Sequence, residues 1–394
     1  MRIVVTGQIG LDKKQFLEET AAIARAQGES LQIYHIGDMM YREAPDVPPG
    51  RILDLPLARL NSLRRAVFRD ILSEAPQHRH VLINTHATFR WKHGLFAAFD
   101  FDQLAAFGAD LYVCLVDNIE TVHARMLRDH ATEHSLKDLM VWREEEILAT
   151  EILAKANTLR GDTGTPPPLK FLVLSRGRGP GSTAETLFRL IFRPAMKMVY
   201  PSFPMTHIFD LPDTLAEVNT FRARLAEKFI TFDPGDVDEK LLADQALNAA
   251  REGRLSIEVP SVDPPPGGER RKSKSAPTLP LKVADVLSIL PDIDGQIYAR
   301  DFLLVRQSDM IVSYIPEIPS PTGGPGKPGL SSGVERELQH AHDHGRESYV
   351  IWKPAKDPSP FITQTANRVF RSIEEAFAFF EEKGYLRQHS LFGP

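Results

Sequence analysis

The chain has 394 residues, a length typical of two or three domains. Its hydrophobic fraction of 42% and charged fraction of 25% are ordinary for globular protein, which excludes wholesale disorder and a fibrous repeat. The net charge of −5 gives no reason to expect a general binder of nucleic acid or of an anionic membrane.

The single cysteine, Cys114, excludes an intramolecular disulfide and a cysteine-rich zinc site. No apolar stretch approaches the roughly 18 residues that a membrane helix requires. A β-strand pattern stands where a signal peptide would need its apolar region. We therefore expect a soluble, cytoplasmic protein.

Short apolar runs separated by helical patterns predict an α/β fold with parallel sheets and crossover helices. Strands are predicted in the first half at Arg2–Thr6, Leu31–Ile36, His80–Asn84, Asp110–Asp117 and Lys170–Ser175. A second set follows Pro194, with strands at Lys197–Phe203, Lys228–Asp233, Asp309–Tyr314 and Ser348–Trp352, and helices at Thr214–Glu227, Asp236–Glu252 and Ser332–His344. Usual domain sizes favour two doubly wound parallel-sheet domains over one large sheet. We predict domains at residues 1–194 and 195–394, with a proline-rich flexible insertion at about 255–282.

The turn after the first strand is the first candidate site. GQIGLDKK, residues 7–14, leads from that strand into a helix, and such a turn points backbone N–H groups at an anion. Gly7, Gly10 and Lys13 fit the phosphate-loop pattern, whereas Asp12 replaces its second glycine and Lys14 replaces the hydroxyl residue that holds Mg²⁺. The pattern predicts a site for ATP or another nucleotide. Mg²⁺ could accompany the nucleotide, but its usual hydroxyl ligand is absent.

Three further segments extend this pattern: IYHIGDMM at 33–40, INTHATFRWKHGLF at 83–96 and LVDNIETVHARMLRD at 115–129. With MRIVVTGQIG, they resemble the nucleoside monophosphate kinases, particularly the archaeal type of adenylate kinase, over about residues 1–190. The resemblance implies that Thr85 and His86 line the phosphate-acceptor side. It also implies that Arg125 and Arg128 clamp the transferring phosphates, as Arg143 does by a looser match.

The residues by themselves leave other roles open. His86, at a strand end, is as often a structural histidine as a functional one. The two arginines can instead pair with Glu120 or Asp129 on a helix surface.

The second candidate site is the start of the helix SSGVERELQHAHDHG, residues 331–345. Ser332 and Glu335 fit a capping box, which predicts that the helix begins at Gly333 and gives Glu335 a structural role. Glu337 follows Glu335 by two residues, so its side chain points about 200° around the helix from that of Glu335. It lies near the carboxyl ends of the predicted strands, where open α/β folds bind ligands. An isolated glutamate there usually serves only the helix dipole.

The segments VYPSFPMT at 199–206, FITFDP at 229–234, YARDFLLVRQSDMIVSY at 298–314 and SSGVERELQHA at 331–341 follow one another in this order. Together they resemble the nucleoside 2-deoxyribosyltransferases and their relatives that hydrolyse 2′-deoxynucleoside 5′-monophosphates, over about residues 195–355. The most specific part is Gly-Val-x-x-Glu-Leu-x-x-Ala at 333–341. The resemblance implies that Glu337 attacks C1′ of the sugar and that Asp301 orients the sugar and the leaving base. It implies further substrate-site positions at Tyr200, Ser202, Ser331, Ser332, Gly333 and Asp309, with Ser331 contacting a 5′-phosphate. Asp309 is expected to cap the turn before its strand and to close the site wall.

The chemistry of such a site follows from its carboxylate. Cleaving an N-glycosidic bond builds oxocarbenium character, which a nearby carboxylate stabilises or captures as a covalent glycosyl intermediate. We therefore expect an enzyme that cleaves or exchanges the N-glycosidic bond of a nucleoside or nucleotide, with an attached nucleotide-binding domain. The resemblance also implies a homo-oligomer. Two alternatives stay open: a nucleoside or nucleotide kinase with a regulatory C-terminal domain, and a non-catalytic nucleotide-sensing module. His340 and His344 share a helix face, but without a third ligand no metal site is expected.

Overall fold

The computed structural model describes residues 1–92, 94–130, 134–158, 171–177, 182–208, 210–260, 278–320 and 326–386. The strands are β1 Arg2–Thr6, β2 Gln32–His35, β3 Val81–Asn84, β4 Thr88–Trp91, β5 Gly94–Ala97, β6 Leu111–Val116, β7 Phe171–Ser175, β8 Met198–Ser202, β9 Ile230–Thr231, β10 Ser256–Pro260, β11 Thr278–Lys282, β12 Met310–Ile315, β13 Glu317–Ile318, β14 Lys327–Pro328, β15 Glu347–Trp352 and β16 Arg368–Phe370. The α-helices are α1 Lys13–Ala26, α2 Ile36–Glu43, α3 Leu57–Glu74, α4 Phe101–Phe107, α5 Ile119–His130, α6 Leu136–Thr158, α7 Thr183–Phe192, α8 Met205–Ile208, α9 Pro212–Lys228, α10 Lys240–Arg251, α11 Val283–Ser288, α12 Leu290–Gln307, α13 Ser332–Asp343, α14 Pro360–Thr363 and α15 Ile373–Glu382. Short 3₁₀ helices lie at Ile52–Asp54, Ala75–Gln77 and Pro234–Asp236.

The chain divides into two compact units, and the division differs from the predicted boundary at residue 194. The N-terminal unit comprises Met1–Arg176 and Glu239–Asp294, and the C-terminal unit comprises Gly177–Asp238 and Gly295–Pro394. Side-chain contacts explain the difference. Arg189 of α7 donates hydrogen bonds to two carbonyl oxygens of the C-terminal unit, those of Ala226 and Phe229. Glu239, just before α10, accepts a hydrogen bond from Arg143 of the N-terminal unit.

The N-terminal unit is built on a five-stranded parallel sheet with the order β2-β3-β1-β6-β7. β1 is central, and its Ile3, Val4 and Val5 are fully buried, as expected for a parallel strand covered on both faces. The strand order reverses at β1, because β3 lies on one side and β6 on the other. Ligands bind at such reversals, outside the carboxyl ends of the strands.

The C-terminal unit repeats this plan with the order β16-β15-β12-β8-β9, again parallel throughout. Every residue of β12 is buried. The order reverses at β8, which pairs with β9 on one edge and with β12 on the other. The carboxyl end of β8, Tyr200–Ser202, therefore lies at the position where a ligand is expected.

The α/β fold class with two parallel sheets is confirmed, and each of the nine predicted strands is present. The edge strand β16 and the short hairpins β4–β5 and β13–β14 were not predicted. The prediction of a flexible insertion at 255–282 is wrong at both ends, because β10 and β11 pair there in an antiparallel hairpin. Ile257 and Val259 alternate with exposed residues and are buried, which holds the hairpin in place. The middle of the insertion lies outside the described residues.

The start of α13 is also corrected. Ser331, not Ser332, is its N-cap residue, since the Ser331 side chain accepts a hydrogen bond from the backbone N–H of Val334. The helix consequently begins at Ser332, one residue before the predicted Gly333. α15 is capped by Ser372, whose side chain accepts from the N–H of Glu375. None of the helices in the described ranges combines the length and the apolar character that spanning a bilayer requires.

Candidate functional site

The loop between β1 and α1 has the backbone of a phosphate-binding loop. Gly7 and Gly10 have φ values of 133° and 86°, which favour glycine, and a Cβ at Gly7 would lie 2.7 Å from the carbonyl oxygen of Leu115. Asp12 has φ 46° and is the one non-glycine residue with positive φ in the described ranges. Aspartate tolerates this left-handed conformation better than most residues. The loop therefore keeps the shape that the missing second glycine would supply.

Lys13, the first residue of α1, points into this loop. Its side chain is buried, and its ammonium group donates to the carbonyl oxygen of Gly7 and lies 3.0 Å from Nδ1 of His86. Burial lowers the pKa of Lys13 to about 7, although the negative charge of Glu146 opposes the shift. The structure thus brings together three predicted residues, Gly7, Lys13 and His86. Thr85, the residue before His86, is buried beside them.

Glu146 of α6 ties the phosphate loop to the segment after β3. One carboxylate oxygen accepts from the backbone N–H groups of Gly7 at 2.9 Å and Ala87 at 2.7 Å. The other accepts from the N–H and the hydroxyl of Thr88, both at 2.7 Å. Glu146 is almost completely buried. A buried carboxylate with donors on both oxygens is well compensated, so this residue fixes the loop relative to His86.

Arginine side chains surround the carboxylate of Asp12. Its Oδ2 lies 3.3 Å from Nε of Arg125, 3.4 Å from Arg128 and 3.9 Å from Arg176. Arg125 is buried and also donates to the carbonyl oxygen of Gly10. Arg176 donates to the carbonyl oxygen of Leu11 at 2.6 Å. These arginines support the loop backbone and partly neutralise Asp12.

The other contacts of these arginines bear on their predicted role as phosphate clamps. Arg125 pairs with the buried Asp117 at 2.9 Å, and the half-exposed Arg128 pairs with Asp129 at 2.6 Å, as the surface-pair alternative expected. Arg143 is buried against Glu239 at 2.5 Å. Phosphate binding by Arg125 and Arg128 stays a prediction.

A cavity of about 370 Å³ opens beside the loop, next to α2 and α3. Its lining includes both loop lysines, Thr85 and His86. It also includes Arg64 of α3, a buried arginine that donates to Asn61 at 3.0 Å. Burial lowers the pKa of Arg64 to about 10. A buried guanidinium in a cavity wall is suited to an anionic group on a small ligand.

The phosphate loop lacks the hydroxyl residue that usually holds Mg²⁺. Magnesium takes oxygen ligands, and in a phosphate loop the protein oxygen is the hydroxyl that follows the lysine. Lys14 occupies that position, and its ammonium group lies 2.5 Å from Oδ2 of Asp38.

The second candidate site lies in the C-terminal unit at the carboxyl end of β8. The hydroxyl of Tyr200 donates to one carboxylate oxygen of Glu337 at 2.9 Å, and the hydroxyl of Ser202 donates to the other at 2.5 Å. Tyr200 and Ser202 are fully buried. Glu337 as a whole residue is partly exposed, but its carboxylate is buried against these two hydroxyls. The carboxylate of α13 is therefore directed at the end of the sheet.

Two effects compete at Glu337. Burial, followed by the negative charge of Asp301, raises its pKa to about 7, and the hydrogen bonds from Ser202 and Tyr200 act in the opposite direction. Asp301 is itself buried and lies 3.4 Å from the guanidinium of Arg300. Burial and Glu337 together raise the pKa of Tyr200. A carboxylate with a pKa near 7 is ionised in about half of the molecules at neutral pH.

The remaining residues predicted at this site have other positions. Asp309 caps the turn before β12 as predicted, because its carboxylate accepts from the N–H of Met198 at the amino ends of β8 and β12. Its assignment to the substrate site is wrong. Because the sheet is parallel, those ends lie opposite to Glu337. Ser331 caps α13, and Ser332 and Gly333 are exposed in its first turn. Substrate binding by these three residues stays a prediction, as does the contact of Ser331 with a 5′-phosphate.

Sequence reasoning missed Glu146 and Arg64, and both carried a signal. In α6, Leu139, Arg143, Glu146, Thr150 and Leu153 recur at helical spacing and are all buried. In α3, Arg64 stands four residues after Leu60 and three before Val67 on the buried face. In each helix, a charged residue at the spacing of the buried face could have indicated a functional or structural role in the interior.

Comparison with known proteins bears on the N-terminal unit. A family model described as an AAA domain matches residues 10–143, less than half of the chain. Similar solved structures include a gluconokinase from Sinorhizobium meliloti 1021 (18% identity, 49% of this chain and 87% of that chain, TM-score 0.25). They also include an uncharacterized protein from Eubacterium ventriosum ATCC 27560 (10% identity, 49% and 97%, TM-score 0.25). TM-scores this low do not support an inference about fold or function. No curated protein matches significantly.

The family match and the loop geometry agree with each other. Residues 10–143 are similar to an AAA domain, and the phosphate-loop geometry of residues 7–14 is consistent with that similarity. The match ends at residue 143, so it leaves the residues around Glu337 unassigned.

Proposed function

We propose that the C-terminal unit cleaves or exchanges the N-glycosidic bond of a nucleoside or nucleotide, with Glu337 as the nucleophile. The observation that carries the proposal is the pair of buried hydroxyls that hold both oxygens of Glu337 at the carboxyl end of β8. A carboxylate that serves only a helix dipole faces solvent and needs no such partners.

The same contacts support a division of labour in the reaction. In its ionised form, Glu337 attacks C1′, the C1′–N bond breaks, and the electron pair leaves with the base. Tyr200 and Ser202 hold the carboxylate in one orientation. Asp301, the neighbouring buried acid, orients the substrate and, in its protonated form, donates its proton to the nitrogen of the departing base. Water then releases the sugar, whereas a second base gives exchange.

A chromatographic screen for free base tests this proposal. The full chain is incubated with a panel of nucleosides, 2′-deoxynucleosides and their 5′-monophosphates, with and without ATP and with and without a second base. We expect base release or exchange from at least one member and none from the Glu337→Gln variant. If no member of the panel shows base release or base exchange, the proposal is wrong. The homo-oligomer that the resemblance implies also stays a prediction.

The cavity of the N-terminal unit favours a second candidate, phosphoryl transfer. The buried guanidinium of Arg64 lines the cavity together with Lys13, which suits an acceptor that carries a carboxylate or a phosphate. ATP labelled in its γ-phosphate, incubated with nucleoside monophosphates, tests this activity. Transfer that survives Glu337→Gln and is lost in Lys13→Ala supports a kinase with a regulatory C-terminal unit. Nucleotide binding without base release or transfer supports a sensing module.

A further inference from the structure

Lys14, the residue after the phosphate-loop lysine, carries an ammonium group at the position where the motif has a hydroxyl group. In the motif, that hydroxyl ligates the Mg²⁺ that accompanies the nucleotide phosphates. Lys14 has three N–H donors and no lone pair, so it cannot ligate a cation and repels one. It lies in the first turn of α1 and lines the same cavity as Lys13. Its position is therefore suited to contacting phosphate directly.

The positive charge of Lys14 also supports direct contact with phosphate. Magnesium at a phosphate site supplies positive charge to the phosphate oxygens. Lys14 supplies a fixed positive charge one residue from Lys13, and a lysine binds phosphate as a point charge. We propose that Lys14 takes the place of the magnesium ion, so that the N-terminal unit binds the polyphosphate of its nucleotide without a divalent cation.

In the structure, Lys14 forms an ion pair with Asp38 beside the cavity. The Lys14 ammonium lies 2.5 Å from its carboxylate, and both side chains are more than half exposed. An exposed ion pair of this kind contributes little stability. Lys14 consequently exchanges the carboxylate of Asp38 for a phosphate oxygen with little loss.

Calorimetric titration of the full chain tests the inference, which rests on nucleotide binding by the N-terminal unit. The probes are ATP and inorganic tripolyphosphate, each titrated once with MgCl₂ and once with EDTA. Wild-type affinity should agree within about threefold between the two conditions. Lys14→Thr restores the motif's hydroxyl, so its affinity should fall about tenfold in EDTA and recover with MgCl₂.

Lys14→Gln is the matched control, because it removes the charge without supplying the motif's hydroxyl. Its binding should weaken under both conditions. The side chain of Lys14 is 62% exposed, so thermal unfolding should report that both variants are folded. Wild-type binding that requires Mg²⁺, or Lys14→Thr binding that ignores it, overturns the inference and leaves nucleotide binding intact. Absence of binding by either probe in both conditions overturns nucleotide binding and the inference together.

Discussion

The two units place opposite charges at equivalent points of similar sheets. At the end of β1, the N-terminal unit buries the ammonium of Lys13 against a backbone carbonyl and an imidazole. At the end of β8, the C-terminal unit holds the carboxylate of Glu337 between two hydroxyls. Burial moves both pKa values toward about 7, downward for the lysine and upward for the glutamate.

The partners of the two groups explain why the sites differ in chemistry. Lys13 belongs to a loop whose backbone is shaped for an anion, so its charge serves binding. Glu337 is oriented by the side chains of Tyr200 and Ser202, which fix both of its carboxylate oxygens. The same sheet order therefore supports either a loop shaped for an anion or a carboxylate fixed by strand side chains, depending on whether loop backbone or strand side chains form the site.

Removing the nucleophile should have the largest effect. We expect Glu337→Gln to lower base release by about 1,000-fold or more, because the amide retains the shape but has no charge with which to attack C1′. Glu335→Gln, in the same helix but exposed, is the control and should retain activity. Base release is measured by chromatography. Equal activity in the two variants would remove Glu337 from the mechanism.

Glu146 allows the corresponding experiment in the N-terminal unit. Glu146→Gln turns an amide N–H toward backbone donors, so we expect the unit to lose about 2–3 kcal/mol of stability and nucleotide affinity to fall about tenfold. Glu151→Gln, further along α6 and paired with Lys155, should have little effect. Calorimetry and thermal unfolding provide the measurements. A loss of base release equal to the loss of binding would contradict separate roles for the two units.

The two sites should respond to pH in opposite directions. Base release needs ionised Glu337, so below its pKa of about 7 the rate should fall about tenfold per pH unit. Tripolyphosphate binding needs charged Lys13, so it should weaken as the pH rises through about 7. Ser202→Ala removes a hydrogen bond that lowers the pKa of Glu337 and should move the rate profile to higher pH. Asp301→Asn removes a repelling charge and should move it to lower pH. Profiles that do not move would separate the rate from the ionisation of Glu337.

The strand pattern was predictable because each central strand is a short, fully buried apolar run. Glu337 was singled out by its place near the start of an amphipathic helix and by the motif at 333–341, and it lies in the second turn of α13. Asp309 could have been placed correctly from the sequence, since it precedes its strand and a parallel sheet puts that end away from the site. Ser331 and Ser332 both fit a cap, and only the backbone geometry distinguishes neighbouring serines.

The contacts around the phosphate loop were not predictable, because they join residues far apart in the chain. Glu146 reaches Gly7 across 139 positions, and Arg176 reaches Leu11 across 165. Helical periodicity marks Glu146 as buried but does not identify its partners. The pairing of β10 with β11 was hidden in a similar way, because the proline-rich composition between them indicated only a loop.

The smallest expected effect concerns Asp12, whose carboxylate the arginines already contact. Asp12→Asn keeps a residue that tolerates φ 46° and removes the negative charge beside the phosphate, so tripolyphosphate affinity should rise about three- to tenfold. Asp12→Ala removes the same charge but disfavours the left-handed conformation, and it should cost about 1 kcal/mol of stability. Calorimetry measures the first effect and thermal unfolding the second. If the asparagine variant binds more weakly than the wild type, Asp12 orders the arginines for phosphate instead of competing with it, and the N-terminal site then depends on its acidic residue as the C-terminal site depends on Glu337.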